Sequence, residues 1–174
     1  MAPFKIFKSI ECDIKVSGEL DYEKSFLKKF DLLIISIHQQ LKMDEAKATK
    51  RLIKAIEHPL TTILGHMTGR LLLIRTGYPV NHKKVIDACA ANNVVIELNS
   101  NPYRLDMDWT HIPYAIKKGV MISINPDAHS IKEIDNIEWG VAAARKAGLT
   151  IDHTWNAKSL EDVEIWLAAK TWRS

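Results

Sequence analysis

The chain has 174 residues, 47% of them apolar, and a net charge of +3, the size and composition of a single α/β domain (residues 1–174) with a core of its own. The mild basic excess is compatible with a polyanionic partner but does not establish one, since a solvated basic surface gives the same balance. Cys12 and Cys89 are too few for a disulfide framework or a cysteine zinc site, no apolar run nears the ~20 residues that span a bilayer, and Met1-Ala2-Pro3-Phe4-Lys5 lacks a secretion signal, so a cytoplasmic protein with no membrane partner is expected.

From about Ile6 to Ile14 the pattern alternates, with Ile10, Cys12 and Ile14 on one side and Glu11, Asp13 and Lys15 on the other, which is the period of a strand. Gly18 interrupts it, and Asp21 to Lys29 reads as a short helix with Asp21 in the capping position. Leu32-Leu33-Ile34-Ile35-Ser36-Ile37 is a continuous β-rich run, as a strand covered on both faces should be, and it ends at His38. Met43 to Glu57 is helical in spacing and is closed by Pro59. Thr61 to His66 reads as a third strand, Val80 to Asn92 as a helix, and Val94 to Leu98 as a fourth strand. Met107 to Lys118 reads as a helix closed by Gly119, with Pro113 early enough to be tolerated. The strand Val120 to Ile124 leads into Asn125-Pro126-Asp127-Ala128-His129-Ser130. A helix from Ile131 to Lys146 follows, then a short strand near Thr150 and a last helix from Leu160 to Lys170.

Glu11, His38, His66, Glu97 with Asn99, and Asp127 with His129 each stand within or just after one of the apolar runs. They recur at intervals of about 30 residues, the length of one strand-plus-helix unit. Parallel strands repeating with that period bring their carboxyl ends to one mouth, where α/β barrels place their chemistry. Imidazoles and carboxylates converging there are suited to a divalent metal with an open position for water. Any one of them alone would read as a hydrogen-bonded structural histidine or a solvated carboxylate; the recurrence at successive strand ends argues for a site. Arg70, Arg75 and Arg104 lie near these positions and could meet a phosphate, or could equally serve in salt bridges. His58, His82, His111 and His153 fall in helices or connections and read as structural, and Trp139, Trp155, Trp166 and Trp172 read as packing residues.

Several strings carry a resemblance: Glu11-Cys12-Asp13-Ile14 with Gly18-Glu19-Leu20-Asp21-Tyr22, Ser36-Ile37-His38, Gly65-His66-Met67-Thr68-Gly69-Arg70, Glu97-Leu98-Asn99-Ser100-Asn101-Pro102-Tyr103-Arg104-Leu105-Asp106, and Asp127-Ala128-His129-Ser130. Together, from about Glu11 to Asn156, they resemble the polymerase and histidinol phosphatase (PHP) domain, most of all the version fused to bacterial family X DNA polymerases. The resemblance implies a (βα)7-type distorted TIM-like barrel with a centre of up to three Zn²⁺ or Mn²⁺ ions that hydrolyses phosphoesters, acting on DNA 3′ ends in the polymerase-linked branch. It implies that Glu11 bridges two metals, that His38 and His66 complete one of those two sites, that Asp127 serves the other, and that His129 serves the third. Glu11 and Asp127 are thereby the expected catalytic carboxylates, with Arg70, Arg75, Arg104 and Asn99 on the phosphate.

The family opens with a His-x-His strand and a further metal-binding histidine that have no counterpart in this sequence, so the barrel is expected to be incomplete at its N-terminus. Four ligands are thereby missing, and fewer than three metals are expected. An uncovered strand edge beside Glu11 implies self-association or a separate N-terminal segment as partner. Two other functions compete with a DNA 3′ exonuclease: a small-molecule phosphatase of the histidinol phosphatase type, and a catalytically silent interaction domain.

Overall fold

The computed structural model describes residues 4–171. Five strands, β1 (Ser9–Asp13), β2 (Leu32–Ser36), β3 (Ile63–Leu64), β4 (Val95–Asn99) and β5 (Ile122–Asn125), lie side by side in chain order, each pair parallel. Parallel neighbours need a crossover. Helices α1 (Lys24–Leu27), α2 (Glu45–Ile56), α3 (His82–Asn92) and α4 (Ile112–Lys117) supply one between each successive pair, and α5 (Ile137–Lys146) and α6 (Leu160–Thr171) follow β5. This is the strand-helix repeat read from the sequence, with five strands among the described residues against the seven of the expected barrel. Among the described residues β1 pairs with β2 alone, and no helix is long and apolar enough to cross a membrane.

The period-two pattern of the strands decides what each face does. Cys12, Leu33, Ile35, Leu64, Ile96, Leu98, Ile122 and Ile124 join Ala48, Leu52 and Ile56 of α2, Val85, Ile86 and Cys89 of α3, and Ile112 and Ala115 of α4 in one buried cluster. Each large aliphatic side chain buried there is worth about 1.5–3 kcal/mol. The other face carries a smaller cluster of Ile63, Val95 and Trp155, against which Ile34, Met121, Val163 and Trp166 pack. Helix α6 is tied beside it: Trp166 Nε1 donates to Asn93 Oδ1 at 3.2 Å, and the buried Lys170 ammonium donates to the carbonyls of Thr61 at 2.6 Å and Asn92 at 2.8 Å. Thr61, Asn92 and Asn93 precede β3 and β4, so the amino end of this face is filled with apolar side chains. Its carboxyl end is left to polar ones.

Four expectations change in detail. Helix α1 starts after Glu23, which makes no side-chain cap, rather than from Asp21. The segment read as a helix from Met107 opens instead with a 3₁₀ turn, Trp109–His111, that feeds α4, with Pro113 in its first turn where no N–H is needed. The segment read as one helix from Ile131 begins with a 3₁₀ stretch, Ile131–Asn136, in which Ile131 and Ile134 are exposed. No strand forms near Thr150; Ile151–His153 is a 3₁₀ turn, the backbone meets the sheet through a single parallel bridge from Thr154 to Ile122, and the Asn156 side chain accepts from the Ile124 N–H at 2.6 Å and donates to the Ile124 carbonyl at 3.0 Å. Trp155 and Trp166 pack as expected, in ring contact at 4.5 Å, whereas Trp139 is exposed and Trp172 lies outside the described residues.

Candidate metal centre

Because Cys12 turns toward the helices, its neighbours Glu11 and Asp13 turn together to the other face of β1. There Glu11 Oε1 lies 3.4 Å from His38 Nε2 and 3.2 Å from His66 Nε2, and the two imidazoles meet edge to face with centroids 5.0 Å apart. One ligand atom from each of these three residues falls within 4.8 Å of the others. His38 and His66 are not strand residues; each follows the carboxyl end of its strand by two positions, which lets the side chains turn in over the edge.

The loops that carry them are fixed by buried donors. Arg51 of α2 is buried, and its guanidinium donates to the carbonyls of Ile14, Lys15 and Gln39, locking the chain after Asp13 to the chain after His38. Tyr78 donates its hydroxyl to the Met67 carbonyl at 2.7 Å, holding the segment after His66. Gly65 matters by its lack of a side chain: a Cβ there would stand 2.5 Å from Ser36 Oγ and 3.2 Å from Ile34 Cγ2. A side chain there would turn Ser36 out of its present rotamer and crowd Ile34.

Asp13 accepts from, or shares a proton with, His38 Nδ1, so the nitrogen facing Glu11 is Nε2. Asp13 was not singled out in the sequence, although its spacing of two from Glu11 placed both carboxylates on one face. The imidazoles of His38 and then His66 hold the Glu11 carboxyl well below the usual carboxylate range despite its partial burial. Glu11 in turn raises His38 to about 9, with burial acting against the shift and Asp13 assisting it. Without a cation, the cluster is a carboxylate bound by a proton-holding imidazole; a metal entering it replaces that proton.

Glu97 is buried and ties the two sides of the mouth together. Its Oε2 accepts from the His66 backbone N–H at 2.8 Å and from Asn99 Nδ2 at 3.3 Å, and its Oε1 accepts from Asn125 Nδ2 at 2.9 Å. Burial pushes its carboxyl above the ordinary value, opposed by the Asn125 and His66 donors. Asn99 Nδ2 also reaches Asp127 Oδ2 at 3.1 Å, and Asn99 Oδ1 accepts from the Asn101 N–H at 3.1 Å, so this fully buried amide acts as a strut inside the mouth.

Asp127, in the left-handed backbone region at φ 52°, lines the same 480 Å³ cavity as Glu11, His66, Glu97, Ser123 and Asn125. Its carboxylate is 3.5 Å from Arg104 Nε. His129 stays apart: it is 78% exposed, its Nδ1 is 2.8 Å from the Asp127 carbonyl, and Glu133 accepts its backbone N–H. Arg70 is committed to the protein, donating to the carbonyls of Arg104 and Leu105 and, at 2.7 Å, to Asp108. Burial would raise the Asp108 carboxyl, but Arg70 and Thr110 outweigh it and bring it to about 2. Arg75 donates Nε to the Gly69 carbonyl at 2.9 Å and is otherwise exposed. Beside it the turn Leu71–Arg75 raises Leu73, 106% exposed and at φ 65°, and Ile74 to solvent, and Leu72 N–H donates to the carbonyl of the exposed Tyr103.

No family model matches the sequence. The chain is 40% identical over 164 residues to the DNA polymerase/3'-5' exonuclease PolX of Bacillus subtilis (strain 168), a match that takes in 94% of this chain and 29% of that protein. It is 28% identical over 162 residues to a probable phosphatase of Thermoanaerobacter sp. (strain X514), covering 87% of this chain and 64% of the relative. A probable phosphatase of Shewanella frigidimarina (strain NCIMB 400) is 25% identical over 178 residues, covering 97% and 69%. The named relatives are a polymerase-exonuclease and phosphatases. This chain therefore spans under a third of the first relative and just under two thirds of the second.

Proposed function

We propose that this chain is a metal-dependent phosphoesterase of the PHP type, the 3′–5′ exonuclease module of a family X DNA polymerase, hydrolysing phosphodiesters at DNA 3′ ends in DNA repair. The observation that carries this is the Glu11–His38–His66 cluster at the carboxyl ends of adjacent parallel strands. One carboxylate and two imidazoles form a donor set that fits Zn²⁺ or Mn²⁺, and Asp13 on the far nitrogen of His38 is the usual partner of a ligating imidazole. A cation held there supplies a water of lowered pKa and positive charge against the phosphoryl oxygens.

The chain's own residues do the rest. Glu11, kept ionised by its two imidazoles, offers an anionic donor in place, and His38 releases its Nε2 proton while Asp13 keeps the ring oriented. Asp127, steadied by Asn99 and Arg104, presents a second carboxylate across the cavity, with His129 two residues on. Arg104 and Arg75 stand at the rim for the phosphate; Arg70 braces the loops between them. A polynucleotide is favoured over a small monoester by two things: the higher identity to PolX, and an open rim carrying exposed Leu73, Ile74 and Tyr103 beside arginine, which suits unpaired bases and backbone phosphate. The matches to phosphatases favour the monoester as second reading.

Assaying the Mn²⁺-loaded chain on 3′-labelled single-stranded DNA and on histidinol phosphate separates them. Release of 3′ nucleotides with little phosphate from the monoester is expected. The reverse preference would establish the phosphatase, and no turnover of either with metal bound would leave a non-catalytic metal-binding domain.

A further inference from the structure

Two buried polar atoms near the cluster have no hydrogen-bond partner, His66 Nδ1 and Asp106 Oδ1. The His66 side chain is 3% exposed, with Nε2 turned to Glu11, so Nδ1 looks away from the cluster into the protein. Asp106 is fully buried; its other oxygen, Oδ2, accepts from both the backbone N–H and the hydroxyl of Thr68, each at 2.9 Å. Thr68 is two residues beyond His66, so the carboxyl is fastened to the same short segment. The Asp106 backbone is held as well, bridged to Asn99 at the end of β4. An orphaned donor or acceptor in a core costs about 1–3 kcal/mol, and two complementary ones on one segment are better explained as partners than as separate losses.

We infer that Asp106 is the positioning residue for His66, its Oδ1 receiving the Nδ1–H of the ring directly or across one buried water. Asp106 then does for His66 what Asp13 does for His38. In each ring the Nδ1 proton is held by its carboxylate, which leaves Nε2 as the nitrogen that faces Glu11 and gives up its proton when a cation arrives. Ser36 Oγ is a rival, being buried, without a partner in geometry and next to Gly65, but it stands beside Glu11, whose carboxyl it assists.

The metal arm of the test rests on the phosphoesterase reading; the tautomer arm does not. Long-range ¹H–¹⁵N correlation of the metal-free chain at pH 8.5 should show His66 protonated at Nδ1. Asp106→Asn should move the population toward Nε2–H and weaken Zn²⁺ or Co²⁺ binding about 10–100-fold. Thr68→Val, which removes the hydroxyl's bond to Oδ2 and its acceptance from the Arg70 backbone N–H at 3.3 Å but leaves the Thr68 N–H on Oδ2, and Ser36→Ala should leave the His66 tautomer in place. An Nε2–H tautomer in the unaltered chain overturns the inference without any variant having to fold. So does a tautomer that responds to Ser36→Ala and not to Asp106→Asn. If the chain binds no metal at all while the tautomer behaves as stated, the phosphoesterase reading fails and the pairing stands.

Discussion

Replacing Glu97 should show how much stability is invested in holding the mouth together. In Glu97→Ala the His66 backbone N–H and Asn125 Nδ2 lose the acceptor recorded for them, at 2.8 and 2.9 Å, whereas Asn99 Nδ2 keeps Asp127. The buried His66 N–H left unpaired costs about 1–3 kcal/mol, and the half-buried Asn125 amide, which water in the cavity can reach, adds about 1 kcal/mol. Removing a carboxyl whose ionisation is opposed by burial returns part of that, which sets the expected loss at about 2 kcal/mol. Glu97→Gln keeps one carbonyl oxygen and the shape, and should lose about half as much. Urea unfolding followed by circular dichroism at neutral pH measures both. The sign with pH is also fixed. A carboxyl raised in the folded state lowers stability as pH climbs above its unfolded value near 4.5, so the gap between the unaltered chain and Glu97→Gln should narrow from pH 4.5 upward. Variants within about 0.5 kcal/mol of the unaltered chain, or a gap that widens with pH, would refute the claim that Glu97 joins the two sides of the site.

His82 and His111 stack at 3.7 Å, and burial followed by the neighbouring ring lowers His82 to about 4. A depressed histidine keeps its stabilising contribution above the unfolded value near 6.5 and loses it as pH falls toward 4, so melting temperature should drop across that window and drop less in His82→Phe. An equal slope in both proteins would show that the stack does not titrate with unfolding. Arg70→Met removes the donors to Arg104, Leu105 and Asp108 and should cost about 2–3 kcal/mol in the same urea assay. A loss confined to phosphate binding, with unchanged stability, would return Arg70 to the role first expected of it.

The sheet was legible because its strands are short apolar runs separated by helical spacings, and the same periodicity put Glu11, His38 and His66 at strand ends. What lay outside its reach were contacts made across the fold. Nothing local to Arg70 says that its guanidinium closes on three loop atoms more than thirty residues away, or that Arg51, in the middle of an ordinary amphipathic helix, locks the loops after Asp13 and His38 together. Asp13 and Asp106 escaped for a related reason: each binds a histidine or its segment through space, and only Asp13 carried a clue, sharing a strand face with Glu11. The stretch around Thr150 failed as a strand because its β-branched residues, between Gly148 and Asp152, find no apolar cover on both sides; Ile151 is 70% exposed and pairing shrinks to one bridge. Ile131 and Ile134 suggested a helix face, yet they meet solvent, and the regular helix begins only at Ile137, where side chains reach the core. The side of β1 that pairs with no strand among the described residues, and the exposed Phe4 and Ile6 that precede it, make the expected partner or self-association a matter for sedimentation.

The proposed function stands or falls on whether Glu11, His38 and His66 hold a divalent metal. Elemental analysis of the chain purified without chelator, set beside His38→Ala and His66→Ala purified in parallel, tests it most directly. At least one bound transition metal per chain is expected, lost from both variants while far-UV circular dichroism stays unchanged. Metal content that is the same in all three proteins would contradict it.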